Sequence, residues 1–210
     1  MQYIWNQFLQ GMANTTLLEY LAVFLGIASV WYSKKENIWV FPTGIANTVV
    51  YIYLSFKNHL PGEASVNLYY TIMNIYGWWI WTQKDANNKK VVHIQFSNNR
   101  WWIRQILFFV ICYFIIFLAL VYLKKNFFPG AIPWADALAS STAFTGMWLM
   151  TKKKVESWYW WIITNICSIP LYFVKGLVFT SVYYIVLLIL AIGGLTEWMQ
   201  RAKQTQKSIG

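Results

Sequence analysis

Charged residues are what this sequence has least of. Asp, Glu, Lys and Arg make up 11% of its 210 residues, against 58% hydrophobic residues, whereas an average soluble domain is roughly 25% charged. Cysteine is scarce too: Cys112 and Cys167 lie in apolar stretches without a CxxC or metal-ligand spacing. They therefore indicate buried thiols and neither a disulfide framework nor a metal site. The composition predicts an all-α integral membrane protein of one domain.

Catalytic signatures are missing as well. The sequence has no HExxH, GxSxG or P-loop pattern, and its two histidines, His59 and His93, lie in predicted loops. These motifs carry the zinc, nucleophile and phosphate chemistry of many enzymes. We therefore expect a chain that is not an enzyme, with no cofactor and no metal, while a separate energising subunit stays open. A retinal receptor would need a lysine midway along its last span, and residues 177–198 contain none.

Seven apolar segments dominate what is present. A short interfacial helix is predicted before them, from Ile4, Trp5, Phe8, Leu9 and Met12. Each segment has about 17 to 22 residues, which is enough to cross a hydrocarbon layer of about 30 Å. The segments cover residues 17–33, 38–56, 64–83, 102–123, 134–151, 157–175 and 177–198.

The basic residues lie between these segments or at their ends, and their distribution predicts the orientation of the chain in the membrane. Four of the 17 are on the side of the N-terminus: Lys57, Lys124, Lys125 and Lys175. The other thirteen are on the opposite side: Lys34, Lys35, Lys84, Lys89, Lys90, Arg100, Arg104, Lys152, Lys153, Lys154, Arg201, Lys203 and Lys207. The positive-inside rule therefore predicts an outside N-terminus and a cytoplasmic C-terminus. It also accounts for the net charge of +10 without a nucleic-acid partner.

An internal repeat underlies the seven segments. The first and fifth share an acidic start, a Trp and a lysine pair; the second and sixth share a midway Asn; the third and seventh share a Tyr pair and Gly-x3-Trp. The paired residues are Glu19 and Asp136, Trp31 and Trp148, Lys34-Lys35 and Lys152-Lys153, Asn47 and Asn165, Tyr69-Tyr70 and Tyr183-Tyr184, Gly77 and Gly194, and Trp81 and Trp198. We expect a repeat over about 17–83, a linker helix over about 102–123 and a second repeat over about 134–198. They would form two parallel three-helix bundles, a 3+1+3 arrangement in which transporters place substrate between repeats.

Polar residues mark one face of the sixth segment. Trp158, Trp161, Asn165, Ser168 and Tyr172 recur at steps of three and four, which places them on one side of a helix. An unpaired amide in hydrocarbon costs several kcal/mol, on the order of 2–7, so this face should turn toward other helices or a wet cavity. Two interpretations stay open: the residues only hold helices together, or they bind a ligand.

Two further segments carry candidate lining residues. The third has Asn67, Tyr70, Asn74, Trp78 and Trp81 at the same spacing, and the second has Asn47 near Pro42 and Gly44. Because Trp also crowds membrane interfaces, Asn74 and Trp78 carry more weight than Trp81.

Two stretches resemble the PnuC family of bacterial vitamin transporters. They are NIYGWWIW at 74–81 and TKKKVESWYWWIITNICSIPLY at 151–172. The family's YGW motif falls on Tyr76, Gly77 and Trp78, and its Trp-x3-Asn pair on Trp161 and Asn165. The resemblance implies the fold of a full-length relative of SWEET sugar transporters, a homotrimer in the bacterial inner membrane, and facilitated diffusion of nicotinamide riboside for NAD biosynthesis. Thiamine or riboflavin is the alternative substrate.

The candidate site combines these residues. We expect Trp161 to stack on the substrate ring and Asn165 to bind its polar substituents. Asn74 and Trp78 would face them from the third segment and Asn47 from the second, with Ser168, Tyr76 and Trp81 nearby. The Lys and Arg residues lie at or beyond the ends of the segments and none lies midway along one, so a phosphorylated substrate should be rejected. No acidic residue lies midway along one either, so we expect no ion coupling, and a cytoplasmic kinase would trap the solute. A non-transporting structural subunit is the alternative of a different class.

Overall fold

The computed structural model describes residues 2–57, 61–86, 88, 90–126 and 131–209. His59 and Lys89 lie outside them. The described residues form eight helices: α1 (Gln2–Asn14), α2 (Leu17–Lys34), α3 (Val40–Lys57), α4 (Pro61–Thr82), α5 (Asn99–Asn126), α6 (Pro133–Thr151), α7 (Ser157–Val174) and α8 (Val178–Ile209). Helix α1 matches the short N-terminal helix of the sequence analysis, and α2 to α8 match its seven apolar segments in order. Helix α8 continues past Trp198, so the basic C-terminal residues extend the helix.

The helix starts follow from local chemistry. Thr16 and Glu19 form a capping box at α2, in which each satisfies a backbone amide of the other's turn. At α6 the carboxylate of Asp136 accepts a hydrogen bond of 2.7 Å from the backbone N–H of Ile132. Proline stands at the start of α4 and of α6, where its missing N–H costs no helical hydrogen bond. Glu19 and Asp136, which were matched between the repeats, therefore both cap the N-terminus of a helix.

Three of these helices are long and apolar enough to cross a membrane on those criteria alone: α2, α5 and α8. Helices α3, α4, α6 and α7 have 18, 22, 19 and 18 residues. Their hydropathy is lowered by polar residues that the fold buries, such as Thr48, Asn74, Thr142 and Asn165.

Helix contacts divide the bundle into two similar groups. Helix α3 packs against α2 and α4, and α7 packs against α6 and α8. The groups meet along two seams, α2 with α8 and α4 with α6. If α2, α3 and α4 are exchanged with α6, α7 and α8, the seam between α2 and α8 takes the place of the seam between α4 and α6. Helix α5 packs along α6 and reaches α7 through a hydrogen bond of 2.8 Å from Trp160 Nε1 to Gln105 Oε1.

A constant spacing relates the two groups. Glu36 and Lys153, 117 residues apart, each follow a helix end and share a positive φ, 55° and 50°. The same spacing separates the starts of α3 and α7 and those of α4 and α8. Gly77 with Gly194 and Trp81 with Trp198 fit this register. Asn47 corresponds to Thr164 and not to Asn165, and the two Tyr pairs are about one turn out of register.

Equivalent residues of the two groups touch each other. Ser33 Oγ lies 2.9 Å from Met150 Sδ, Glu36 is ion-paired with Lys153, and the rings of Trp81 and Trp198 are 6.2 Å apart. A residue that contacts its own equivalent lies at the two-fold axis relating them. All three pairs lie at one end of the bundle, formed by residues 35–39, 83–86, 88, 90–98 and 152–156 and the part of α8 beyond Trp198. We call it the basic end.

Two glycines allow the aromatic packing at the basic end. Phe41 meets Trp81 edge to face at 4.9 Å, and the equivalent Trp158 meets Trp198 at 5.6 Å. A Cβ at Gly77 would overlap the Phe41 ring, and one at Gly194 would overlap the Trp158 indole. The two indoles also make equivalent hydrogen bonds. Trp81 Nε1 donates to the Thr151 carbonyl and Trp198 Nε1 donates to the Lys34 carbonyl, both at 3.2 Å.

Substituting the neighbouring glycines of α8 separates packing from helix propensity. Gly194→Ala should lower the Tm of the detergent-purified protein, because an overpacked core costs about 1–3 kcal/mol, more than the roughly 1 kcal/mol that alanine gains in a helix. Gly193→Ala is the control, since its Cβ would meet only the flexible end of Lys34. An equal Tm for both variants would contradict the packing described for Trp158.

Candidate functional site

The polar stripe of α7 faces the protein interior. Asn165 and Ser168 are 3% and 1% exposed, and Trp161 is half-buried, whereas Ile163 and Ile166 on the other side of the helix are exposed. Pro170 lies inside α7. The spacing of three and four therefore separates an inward polar side from an outward apolar side, as expected for an amphipathic helix in a bundle.

Asn165 is a buried amide without an internal partner. Its side chain makes no hydrogen bond to any residue that the structure describes. By contrast, Asn47 Nδ2 donates to the Ala22 carbonyl at 2.6 Å and Asn74 Nδ2 donates to the Tyr70 carbonyl at 2.9 Å. Buried polar groups in native proteins almost always have a partner, in the protein or in ordered water. Among the residues described, the fully buried polar side-chain atoms without a partner are Gln105 Nε2 and Trp158 Nε1 and do not include the Asn165 amide. The Asn165 amide therefore borders space that water or a ligand can reach.

The first repeat shows how the second leaves this amide free. Thr48, the equivalent of Asn165, shares a hydrogen bond of 2.7 Å with Thr71 on the next helix. The residue equivalent to Thr71 is Leu188, whose side chain has no hydrogen-bonding group. The repeats thus differ at this position: one pairs its polar residue internally, and the other keeps an amide without a partner.

Trp161 lies one turn from Asn165 on the same side of α7. Its indole packs on Gly146, with ring atoms 3.3 Å from where a Cβ would stand, and its ring centre is 6.4 Å from that of Tyr70. The equivalent position in the first repeat is Gly44, against which the Asn74 side chain packs. The centre of the bundle therefore has an aromatic ring on one side and an amide on the other.

Tyr69 and Tyr184, which the sequence suggested only as repeat markers, extend this polar centre together with Tyr172 of the α7 polar face. The Tyr172 and Tyr184 rings stack at 5.1 Å, and the Tyr184 hydroxyl is close enough to Tyr172 and Ser168 to interact with both. Tyr69 stacks on Phe144 at 4.2 Å and donates to its carbonyl at 3.0 Å. The Tyr pair that each repeat carries, Tyr69-Tyr70 and Tyr183-Tyr184, was the signal that could have identified these residues.

Three other candidates lie apart from this centre. Trp78 is 41% exposed on the outer side of α4. Tyr76 accepts a hydrogen bond from Lys152, whose ammonium also lies over its ring at 4.7 Å. Trp81 belongs to the aromatic packing at the basic end. The structure therefore places Trp161, Asn165 and Ser168 on the inward side of α7 and buries Asn74 on α4, and it uses Asn47 to hold α3 against α2.

Charged groups lie at the two ends of the bundle. Asp136 is ion-paired with Lys175 at 2.5 Å, and Glu63, expected in a loop, lies in the first turn of α4. Lys175 and Asp136 are close enough to Glu63 to interact with it electrostatically. Within the described part of the chain, no three His, Cys, Asp or Glu side chains are grouped as metal ligands. The centre offers stacking and neutral hydrogen bonds.

Comparison with known proteins assigns this arrangement to a family. The family model described as "Nicotinamide mononucleotide transporter" matches residues 16–200. The nicotinamide riboside transporter PnuC of Escherichia coli (strain K12) is 22% identical over 220 residues, covering 92% of this chain and 90% of that protein. The riboflavin/roseoflavin transporter RibM of Streptomyces davaonensis is 23% identical over 190 residues, covering 88% and 85%.

A solved structure has the same fold. The crystal structure of the vitamin B3 transporter PnuC superposes with a TM-score of 0.71 at 20% identity, covering 97% of this chain and 89% of that one. Together with the family match over most of the sequence, this confirms the resemblance found in the YGW and Trp-x3-Asn motifs. The chain belongs to the PnuC family of membrane vitamin transporters, and it is a transporter and not an enzyme.

Proposed function

We propose that this chain carries a non-phosphorylated vitamin precursor, nicotinamide riboside, across the bacterial inner membrane by facilitated diffusion. The observation that carries the proposal is the Asn165 amide, buried and without a protein partner one turn from the Trp161 ring. Nicotinamide riboside combines a flat cationic ring with a carboxamide and sugar hydroxyls. An indole attracts such a ring by about 0.5–2 kcal/mol, and an amide can both donate to and accept from the polar groups.

The proposed membrane topology has seven spans, α2 to α8, in the SWEET-like 3+1+3 arrangement. Helices α2 to α4 and α6 to α8 are the two parallel repeats, and α5 is the linker. The constant spacing, the two interchangeable seams and the contacts between equivalent residues support it. The basic end, which carries most of the Lys and Arg, is the cytoplasmic side. The N-terminus is then outside and the C-terminus inside.

Within the site the residues have different roles. Trp161 stacks on the ring, Asn165 binds its polar substituents, and Ser168 lies near Tyr184. Asn74 offers its carbonyl oxygen from the first repeat, since its amide nitrogen is already bonded. Asn47 supports the wall by holding α3 on α2. Tyr76 and Trp81 close the site toward the basic end, and Trp78 on the outer side of α4 stays a prediction from the family motif.

The lack of a free positive charge among the described residues near the site favours a nucleoside over a nucleotide as the substrate. The described cations nearest to the candidate residues are already engaged: Lys152 with Tyr76, Lys153 with Glu36 and Lys175 with Asp136. A phosphate dianion would enter a neutral site without a counter-charge, which is strongly unfavourable in a low-dielectric interior. The proposed substrate therefore differs from the mononucleotide in the family's description.

Transport is proposed to run down the substrate gradient. Among the acidic residues described, Glu197 lies within α8 at the basic end, where it is ion-paired with Arg201. The others lie in the first turns of helices or in the connections between them, so the centre offers no carboxylate for a coupled proton or sodium ion. A cytoplasmic kinase would keep uptake running, because its phosphorylated product no longer fits the site. We propose a homotrimer as the assembly. Riboflavin is the second candidate substrate, favoured by the similarity to RibM, and thiamine is the third.

Asn165 and Asn47 should respond to substitution in opposite ways. Asn165→Leu removes an amide without a partner, so the Tm without ligand should stay unchanged or rise, while the Tm increase produced by nicotinamide riboside should disappear. Asn47→Leu removes the bond to Ala22 and should lower the ligand-free Tm by the equivalent of about 1 kcal/mol, with the ligand-induced increase retained. Thermal-shift measurements of both purified variants decide this. A ligand response that survives in Asn165→Leu would place the site elsewhere.

A ligand panel tests the choice of substrate. Nicotinamide riboside, its mononucleotide, thiamine and riboflavin are titrated calorimetrically into the purified protein. We expect the riboside to bind tightest, the mononucleotide to bind at least tenfold more weakly, and Trp161→Ala to weaken the riboside by about 0.5–1.5 kcal/mol beyond lost contact area. Tight binding of the mononucleotide would contradict the neutral site.

Proteoliposomes without a kinase test the transport mode. Labelled riboside should reach equal concentrations inside and outside, whatever proton or sodium gradient is imposed. Accumulation above the outside concentration under either gradient would show ion coupling and refute facilitated diffusion.

A further inference from the structure

Ion pairs join the two repeats at the basic end. Glu36 of the first repeat contacts Lys153 through Oε1 and Arg201 Nη1 through Oε2 at 3.1 Å, and Lys35 Nζ lies 3.4 Å from Glu197. The Asp136 to Lys175 pair at the opposite end joins two helices of the same repeat. Among the residues described, direct ion pairs between the repeats occur only at the basic end; at the opposite end Glu63 interacts with Lys175 and Asp136 electrostatically without a direct pair.

Lys153 is the buried member of this cluster, and Glu36 and Arg201 are partly exposed. Lys153 is 1% exposed, and its ammonium lies 4.5 Å from the centre of the Trp81 ring. Burial lowers the pKa of Lys153. Burial alone would raise the pKa of Glu36, but the hydrogen bond and charge of Lys153 hold that pKa below its ordinary value. Both residues have a left-handed backbone after a helix end, which fixes the direction of each side chain.

An aromatic layer lies directly beneath the ions. Phe41, Trp81, Trp158 and Trp198 are each 5% exposed or less, and they come in equal numbers from the two repeats. Trp158 Nε1 is buried without a hydrogen-bond partner. Such a group gains hydrogen bonds if water enters. Opening the aromatic layer would therefore satisfy the Trp158 N–H.

The opposite end has a different kind of contact between repeats. Tyr69 donates to the Phe144 carbonyl across the α4 and α6 seam, and Tyr183 packs on Gly26 across the α2 and α8 seam. These are neutral contacts, spread along two seams. The strong ionic contacts are concentrated on the axis at the basic end.

We propose that Glu36, Lys153 and Arg201 form the inner gate of this transporter, a latch that keeps the cytoplasmic side closed over the aromatic layer. Opening the site to the cytoplasm separates Glu36 from Lys153 and Arg201 and parts Trp81 from Trp198. This rests on the proposed function, in that it takes the basic end as cytoplasmic and the centre as the substrate site. Because the pair lies on the two-fold axis, small rotations of the repeats act on it directly.

The test reads access to the site without any substrate. In a background of Cys112→Ala and Cys167→Ala, the reporter Ser168→Cys places a thiol in the centre. A membrane-impermeant maleimide is then applied to the cytoplasmic face of vesicles. Glu36→Gln and Lys153→Met should each raise the labelling rate several-fold, and the double variant should not exceed Glu36→Gln, because that substitution already removes the contacts to both Lys153 and Arg201. Asp136→Asn, which breaks an ion pair within one repeat, should leave the rate unchanged.

Unchanged labelling in both single variants would overturn the gate. So would a double variant whose effect is the product of the single effects. A second measurement covers variants that fold poorly: Glu36→Cys with Lys153→Cys, bridged by a short bis-thiosulfonate, should stop uptake of whichever panel vitamin the parent carries, and reductant should restore it. The same reagent on Asp136→Cys with Lys175→Cys is the control. If the parent carries thiamine or riboflavin instead of the riboside, the proposed substrate fails while the gate is still tested.

Discussion

A helix bundle in a membrane has to pair every polar group that it buries, and this constraint organises the whole chain. Most of the buried hydroxyls and amides obey it locally, as Thr142 and Thr145 do by bonding back to their own helix. Others obey it between helices, as Asn47 does with α2 and Thr48 with α4. Asn165 is the exception at the centre, and the proposed site depends on that exception.

Duplication and divergence explain how one amide came to be free. The two repeats keep the same helix starts, the same left-handed residues and the same tryptophans at the basic end, so their shared framework is closely conserved within the chain. At the centre they differ: Gly44 of the first repeat corresponds to Trp161 of the second, and Thr48 corresponds to Asn165. In the mechanism that we propose, the symmetric framework lets the repeats move, and the asymmetric centre gives an asymmetric solute one orientation.

The sequence predicted much of the fold because periodicity and span length are local properties. The order of the helices and the inward side of α7 followed from spacing alone. The register of the repeat was partly wrong, since Asn47 was matched with Asn165 although the helix starts pair it with Thr164. Letter similarity cannot resolve a shift of one residue, which turns a helical side chain by about 100°. The partners of Asn47, Tyr76 and Trp81 come from distant segments, so no local pattern could predict that these residues serve packing.

The most direct test of the account is an experimental structure of this protein with nicotinamide riboside bound. The account predicts the pyridinium ring against the Trp161 indole, with the Asn165 amide within hydrogen-bond distance of the carboxamide or a ribose hydroxyl, while Asn47 stays bonded to Ala22. A ligand found away from Trp161, or an Asn165 amide bonded to protein with the ligand in place, would contradict it.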